Sequence, residues 1–494
     1  MEAAELYDVA IVGYGPTGAT LANLLAKQGW KILVLDREKD LYNLPRAVHF
    51  DDETMRVFQS VGISDALIEK THVNPGMRFV DKDNNLLMDW PRPQEITQHG
   101  WHASYRLHQP DLERLLRKKL GTFQSVTVHT ECELQTTQEM DEQVILQCKE
   151  THHGGPVTFR ARYVVGCDGA NSTIRKFIDA DMEDFCFCER WLVVDLLLKK
   201  PRPDLGDYSV QYCHPDRPMT YCRSPANRRR WEITVLDDES DQEISSPDKV
   251  WELLSRWITP DEAEMERSAV YTFRSLLARN WRKNRHIIAG DAAHLTPPFM
   301  GQGMCTGIRD ASNLAWKLDW VLAGSNPDLL DAYEAERSPH ARSYIQTAIR
   351  LGGLINSVDS KNALNLADNS QSMKSIQPKL GDSDFLAVEP DESHPVGKMF
   401  PQPNLANEQR FDEFVGSNFA LITNEQAPVF DAAGLMTLST LDYPELKQAL
   451  LSFNASAVLV GPDRYIRDIG VTAGAVLNNF ISLYSTENER EISL

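Results

Sequence analysis

Residues 7–18, Tyr-Asp-Val-Ala-Ile-Val-Gly-Tyr-Gly-Pro-Thr-Gly, leave this chain few choices of fold. Val9, Ala10, Ile11 and Val12 form one apolar run, as a strand buried on both faces requires. The pattern then predicts a helix from about Thr17 to Gln28, stopped at Gly29. A second apolar run, Lys31–Leu35, ends at Asp36. Strand, helix and strand in that order make a βαβ unit on a parallel sheet. Gly13 permits the tight turn, Gly15 lets the backbone approach a pyrophosphate, and Gly18 lets helix and strand pack closely. The helix start, with Pro16 and Thr17, turns free N–H groups and partial positive charge toward the phosphates. Asp36 stands where a carboxylate accepts from ribose hydroxyls, with Arg37 beside it. These residues predict an adenine dinucleotide site. They do not choose between FAD and NAD.

Two later segments make that choice. An alternating stretch, 157–166, ends in Gly166-Cys167-Asp168-Gly169. The strand Arg285–Ala289 ends in Gly290-Asp291-Ala-Ala-His294, followed by Pro297-Pro298 and Gly301-Gln302-Gly303. A nicotinamide dehydrogenase has no need of a second Gly-Asp element so late in the chain, whereas FAD is long enough that a fold returns to it. Asp291 suits a ribityl hydroxyl. The helix after Gly303, with Ile308, Ala311, Ala315, Leu318 and Leu322 on one face and its end at Gly324, suits negative charge on a reduced flavin ring.

Elsewhere, residues 51–62 and 109–120 read as helices, and 126–148 as strands. Trp191–Leu198, Ser209–His214, Met219–Arg223 and Arg230–Leu236 read as an antiparallel sheet able to cover a substrate. The acidic stretch Asp237–Asp248 reads as a solvated loop and Asn356–Ser393 as a linker. Residues 395–494, with apolar strands Phe419–Thr423 and Ala457–Gly461, read as a separate small α/β domain. A length of 494 residues predicts several domains. A net charge of −20 argues against nucleic-acid and membrane-surface roles, and an anionic substrate would need basic residues at its site. The eight cysteines include no C-x-x-C pair, and the start Met1-Glu-Ala-Ala-Glu5 lacks signal-peptide character, so a reducing cytoplasm is expected. No apolar run is long enough to span a bilayer.

The three glycine segments, in this order over residues 7–350, resemble the class A flavoprotein monooxygenases, the aromatic hydroxylases of the p-hydroxybenzoate hydroxylase type. The implied fold is α/β, or α+β overall. A Rossmann-like FAD domain (1–75, 100–180 and 270–355) carries an inserted antiparallel-sheet substrate domain (76–99 and 181–269). A linker (356–394) then leads to a thioredoxin-like C-terminal domain (395–494) without a C-x-x-C, hence without thiol exchange. The resemblance implies that Gly13, Gly15, Pro16, Thr17, Gly18, Asp36 and Arg37 hold the ADP part of FAD, and that Arg46, Arg106 and Gln109 contact the cofactor. Asp168 would serve FAD and a transient nicotinamide cofactor, and Gly290 and Asp291 the ribityl chain. Pro298, Gly301, Gln302, Gly303 and Met304 would lie against the isoalloxazine. A narrower likeness, to 3-(3-hydroxyphenyl)propionate hydroxylases, lies in Leu44-Pro-Arg-Ala-Val-His-Phe-Asp-Asp-Glu53, in Gly301–Leu318, in Val396-Gly-Lys-Met399 and in Pro462-Asp-Arg-Tyr465. Cys305 departs from the broader family, which often has Asn there.

The resemblance implies a monooxygenase using FAD, O2 and NADH or NADPH to hydroxylate a small phenolic substrate, such as a 3-hydroxyphenylpropionate-like compound, through a flavin C4a-hydroperoxide. Alternatives are a polycyclic or polyketide substrate, and a flavin-binding protein without turnover. A homodimer stays open. Tyr212, His214 and Tyr221 are candidates to polarise the phenol, Arg223 to hold a side-chain carboxylate, and Phe299 to wall the ring, with sheet register undetermined. No metal is expected: Asp51-Asp52-Glu53 reads as the acidic first turn of a helix, and Asp291 with His294 as part of the flavin site. His152-His153 reads as an exposed turn, and Trp316 and Trp320 as core or interface aromatics.

Overall fold

Strand Leu6–Val12 lies mid-sheet, where its apolar run is buried on both faces. Parallel strands flank it in the order His286–Ile288, Pro156–Gly166, Leu6–Val12, Ile32–Leu35, Val126–His129. An antiparallel extension, Cys132–Met140 with Gln143–Glu150, continues from Pro156–Gly166. Helices Pro16–Lys27, Gln109–Leu120 and Gly303–Leu322 cover this sheet, and their Leu, Ile and Ala faces merge with it into one core. The structure, a computed structural model, describes residues 5–41, 46–152, 154–357, 376–390, 393–405, 408–426, 428 and 434–484. About half of the linker reading, 358–375 and 391–392, and His153 therefore fall outside the described residues.

A second sheet of eight strands stands against the first body. It is antiparallel except where Ser209–Tyr212 pairs in parallel with Gly76–Val80. Two long strands that sequence periodicity left short or unseen, Met182–Leu198 and Ala263–Ala278, carry the chain out of the first body and back. Charged residues interrupt both, which hides their period of two. The acidic stretch is not a loop. Ser240 caps a helix Asp241–Ile244 by accepting from Glu243 N at 3.3 Å, and Pro247–Leu254 forms another. Ile244, Val250 and Leu254 seal the outer face of the sheet, so apolar burial outweighs the local charge.

The C-terminal region has a mixed four-stranded sheet, Leu435–Ser439, Phe419–Thr423, Ala457–Val460 and Ile466–Gly470, with helix Ala473–Tyr484. It is bolted to the first body by charge and rings. Arg56 donates twice to Asp412, at 2.7 Å each, and Trp316 and Trp320 meet Phe419 edge-on at 5.4 and 5.1 Å. Lys317, Arg467 and Asn313 surround Glu336 at 2.6–2.8 Å with no solvent contact. Burial alone would raise the Glu336 carboxyl, but the two cations outweigh it and hold it at about 2.

Candidate active site

The three glycine segments, dispersed in sequence, touch one another. A Cβ on Gly13 would overlap the Cys167 carbonyl, and one on Gly290 (φ +62°) would come within 2.7 Å of Thr17 Oγ1. Arg175 Nη1, from the helix after Asp168, donates to Ala292 O at 2.9 Å. Gly15 and Gly303, by contrast, open onto space, with no atom within 4 Å of a Cβ built there. The helices those two residues begin have no side-chain cap and no acid in the first turn. Helix Asp52–Val61, elsewhere in the same body, has both: Asp51 accepts from Thr54 N at 3.0 Å. Two uncapped helix starts facing open space are what a phosphate and a flavin ring require. Asp36 accepts from Tyr14 N at 2.7 Å and Glu38 N at 2.8 Å, which fixes its carboxylate beside the glycine turn. Across the cleft, the Arg46 guanidinium stands 3.8 Å from the half-exposed Asp291 carboxylate. These residues fit FAD.

Several residues of the expected cofactor set are occupied elsewhere in the fold. Gln109 Oε1 accepts from Arg46 N and Ala47 N at 3.0 and 2.8 Å, so it shapes the loop that carries Arg46. Asp168 Oδ2 accepts from Thr173 N at 2.6 Å and begins a short helix. Arg37 pairs with Glu38 at the surface. Arg106 is buried and donates to Asn74 Oδ1 at 2.9 Å and to Ser209 Oγ. Gln302 is buried between Asp51 and Arg309, each at 3.1 Å.

The loop Pro298–Met304 rests on a buried ion cluster. Arg309 donates to Asp51 at 2.5 Å and to Glu53 at 2.7 Å. Burial favours a neutral Asp51, yet Arg309 beside it holds the carboxyl below its ordinary range. Asp52 accepts from Thr97 Oγ1 at 2.6 Å and pairs with His99. The acidic triplet thus holds protein groups. His294 and Arg337 pair with Asp310 at 2.6 and 2.9 Å, and Asp310 also accepts from Gly290 N, fixing the turn before Asp291. Gly301 (φ +64°) lies on the His49 ring: a Cβ there would be 3.0 Å from His49 Cβ. Burial pushes His49 down to about 4, so it is neutral, with Nε2 2.7 Å from Ser104 Oγ. Cys305 is buried beneath the loop, its thiol pushed up to about 12 by burial.

The sheet register divides the expected substrate residues. Val210, Tyr221, Trp231 and Val194 are successive cross-strand neighbours and belong to the core under helix Pro247–Leu254. Tyr221 and Tyr212 therefore face away from the cradle. Tyr212 lines an outer cleft of about 400 Å³ with Trp257, and Tyr221, pushed up to about 12 by burial, is 2% exposed. Arg223 pairs with Asp207, and His214 lies near Asp216 at the surface. Tyr212 and Tyr221 are corrected by one fact, that side chains alternate across a strand, while Arg223 is taken up by Asp207 and His214 lies past the strand end. Phe299 does reach the inner side, with Phe187 and Trp191 edge-on at 5.7 and 5.9 Å. The inner face bears Gln211, Thr220, Cys222, Arg230, Glu232 and Asp195. Arg230 Nη1 donates to Arg46 O at 2.9 Å, which ties this face to the cradle. Glu232 lies 3.7 Å from Arg230 Nη1, and burial raises its carboxyl above the ordinary range. Gln211 is fully buried, accepts from Thr220 Oγ1 at 2.6 Å and has no partner for its Nε2 among the described residues. Polar residues in otherwise apolar strands were the available signal for this face.

Fold and site together define a flavoprotein oxidoreductase. Residues 6–348 match the FAD binding domain family, and the chain belongs to it as a class A FAD-dependent aromatic-ring monooxygenase. It is 38% identical over 422 residues to the probable NADH-specific resorcinol 4-hydroxylase of Rhodococcus jostii (strain RHA1), covering 84% of this chain and 79% of that one. It is 30% identical over 541 residues to the 3-(3-hydroxy-phenyl)propionate/3-hydroxycinnamic acid hydroxylase of Escherichia coli (strain SMS-3-5 / SECEC), covering 98% and 96%. In fold it is similar to aklavinone-11 hydroxylase in complex with FAD and aklavinone, with a TM-score of 0.81 at 20% identity over 98% of this chain and all of that one. Among the described residues no helix is long and apolar enough to cross a membrane, and no group of three His, Cys, Asp or Glu could hold a metal ion.

Proposed function

We propose that the chain hydroxylates a small phenolic ring, consuming O2 and a reduced nicotinamide, and that the ring lies between the loop Pro298–Met304 and the inner face of the second sheet. The observation that carries this is that one loop borders two unlike environments. Its glycine side opens on the uncapped helix start at Gly303. Its Phe299 and Met300 side packs with Phe79, Met88 and Leu351 in an apolar cluster that also takes in Met77 and Trp90. FAD, when bound, supplies the oxygen-activating redox chemistry there. The protein holds the ribose with Asp36 and the ribityl chain with Asp291, and positions the flavin edge with the backbone of Gly301–Gly303.

The remaining work falls to the substrate side. The apolar cluster excludes water, which keeps reducing equivalents from being lost as hydrogen peroxide. Gln211 Nε2 can donate to a ring hydroxyl. Glu232, its acidity weakened by burial, is the carboxylate suited to take the phenol proton, and a phenolate is the more electron-rich ring. One dinucleotide fingerprint is present, so the nicotinamide would visit without a domain of its own. The relative from Rhodococcus jostii is named NADH-specific, which favours NADH here.

The test is oxygen uptake and NADH oxidation by the FAD-loaded protein with resorcinol and with 3-(3-hydroxyphenyl)propionate, with identification of products. Faster oxidation and a product carrying one more hydroxyl support the proposal. Oxidation indifferent to both phenols, or returning all oxygen as hydrogen peroxide, contradicts it.

A further inference from the structure

Helix Asp331–Ser357 carries two glycines side by side, Gly352 and Gly353, where alanine is the better helix former. Their surroundings differ. Gly353 is exposed, and a Cβ built there would meet no atom within 4 Å. Gly352 is buried, and its Cβ would lie 2.4 Å from Phe299 Cε2, 2.8 Å from Cδ2 and 3.0 Å from Cζ. Any side chain at 352 would thus stand where the Phe299 ring stands. Phe299 belongs to the short turn Pro298–Met300, which opens the loop bordering the proposed ring site. The bare backbone of Gly352 is a seat for that ring.

The seat matters because Phe299 has little room elsewhere. Phe187 and Trp191 meet its ring edge-on at 5.7 and 5.9 Å. Trp191 is buried and donates from Nε1 to Glu189 at 2.8 Å, which pins it. Leu351, the residue before Gly352, is buried in the apolar cluster that Phe299, Met300 and Trp90 pack against. Trp90 is itself covered by the Arg92 guanidinium, 4.3 Å from its ring centre. The loop backbone is fixed as well: Gly301 N donates to Pro298 O at 2.9 Å, and Gly301 rests on the His49 ring. A Cβ at 352 would need the Phe299 ring to yield by about 1 Å before ordinary carbon–carbon contact is reached. With the loop, Phe187, Trp191 and the cluster holding, the ring would have to turn toward the sheet face where the phenol is placed.

We propose that Gly352 is a positioning residue for the hydroxylation: it lets Phe299 withdraw against the helix, and so sets the room left for the phenol between the loop Pro298–Met304 and the inner sheet face. This rests on the phenol-hydroxylase reading above. Gly352 acts through Phe299 and needs no contact of its own with substrate or flavin. The size of ring accepted is then fixed by a pair, a missing side chain on the helix and a large one on the loop. A larger residue at 352 narrows the site, a smaller one at 299 widens it, and the two changes together offset each other. Gly353, one position on, has no such effect.

The experiment is a titration of the flavin absorbance of the FAD-loaded protein with resorcinol and with the two-ring phenol 2-naphthol. It is joined to a measurement of the share of NADH oxidised that ends as hydrogen peroxide. Gly352→Ala should retain FAD, bind resorcinol at least about tenfold more weakly, and raise the peroxide share. Adding Phe299→Leu to it should restore most of the binding. Gly353→Ala should match the unaltered protein in both readouts. Phe299→Leu alone should improve binding of 2-naphthol relative to resorcinol at least about tenfold, and it decides the matter if Gly352→Ala does not fold. Equal effects of Gly352→Ala and Gly353→Ala overturn the proposal. So does a double variant no better than Gly352→Ala, or a Phe299→Leu protein with the unaltered preference. If the flavin of the unaltered protein ignores both phenols and neither stimulates NADH oxidation, the phenol-hydroxylase reading itself fails, before any variant is made.

Discussion

The flavin cradle and the sheet that faces it are specified by different parts of the chemistry. In the cradle the backbone decides. Gly13, Gly18, Gly290 and Gly307 leave no room for a Cβ because three separated segments press together there, while Gly15 and Gly303 leave room for a ligand. In the sheet the side chains decide, and they do so by face. Gln211 and Glu232 look inward, while Tyr212, next in sequence to Gln211, and Tyr221, next in sequence to their shared cross-strand partner Thr220, look outward into a different core. A cradle of this kind tolerates almost no change. A sheet of this kind can be rewritten on one face without disturbing the other, which is how one flavin fold could serve many ring substrates.

The sharpest break between the two regions should come from Gly18→Val. Its Cβ would overlap the Gly13 carbonyl, so soluble protein should retain no measurable FAD after gel filtration. Next is Arg309→Met, which strands Asp51 and Glu53 without their cation; a loss of about 3–5 kcal/mol is expected in denaturant melts, with loss of flavin. Glu232→Gln should lower the phenol-stimulated rate about a hundredfold. The sign of its pH dependence follows from the raised carboxyl: the base form is lost as pH falls through that pKa, so the unaltered enzyme should show an acid limb above the ordinary Glu range. Glu232→Gln should lack that limb in a kcat/KM profile. Asp291→Ala should weaken FAD retention about tenfold while leaving the fold intact, because the carboxylate is half-exposed; unchanged flavin content would remove it from the cofactor set. The smallest effect should be that of Tyr221→Phe, which removes a 3.4 Å hydrogen bond to Gly206 O and an interaction with Arg229 on the outer face. KM for the phenol should change less than about twofold.

The cradle was legible in sequence because backbone requirements select residue types: a close approach demands glycine, and the ends of buried strands place Asp36 and Asp291. The joints between segments, such as Arg175 to Ala292 or Asp310 to Gly290 and His294, were not legible, since nothing local relates residues so far apart. On the sheet, Tyr212 and Tyr221 attracted attention as phenol-like groups, yet their role depends on which face they occupy. That is set by pairing with strands whose charged residues obscured their own pattern. Arg92 carried no motif at all, and His49 lay within the segment Leu44–Glu53 without a role of its own. Their position becomes visible only when Gly301 is seen to rest on the His49 ring and Trp90 to back the guanidinium.

The most direct test of the central claim, that cradle and sheet enclose one flavin and one phenol together, is the visible spectrum of the chain saturated with FAD and freed of excess. One flavin per chain, with an absorbance that shifts when a phenol is added, is the predicted result. A chain that stays colourless after reconstitution, or a bound flavin whose spectrum ignores every phenol offered, would contradict it.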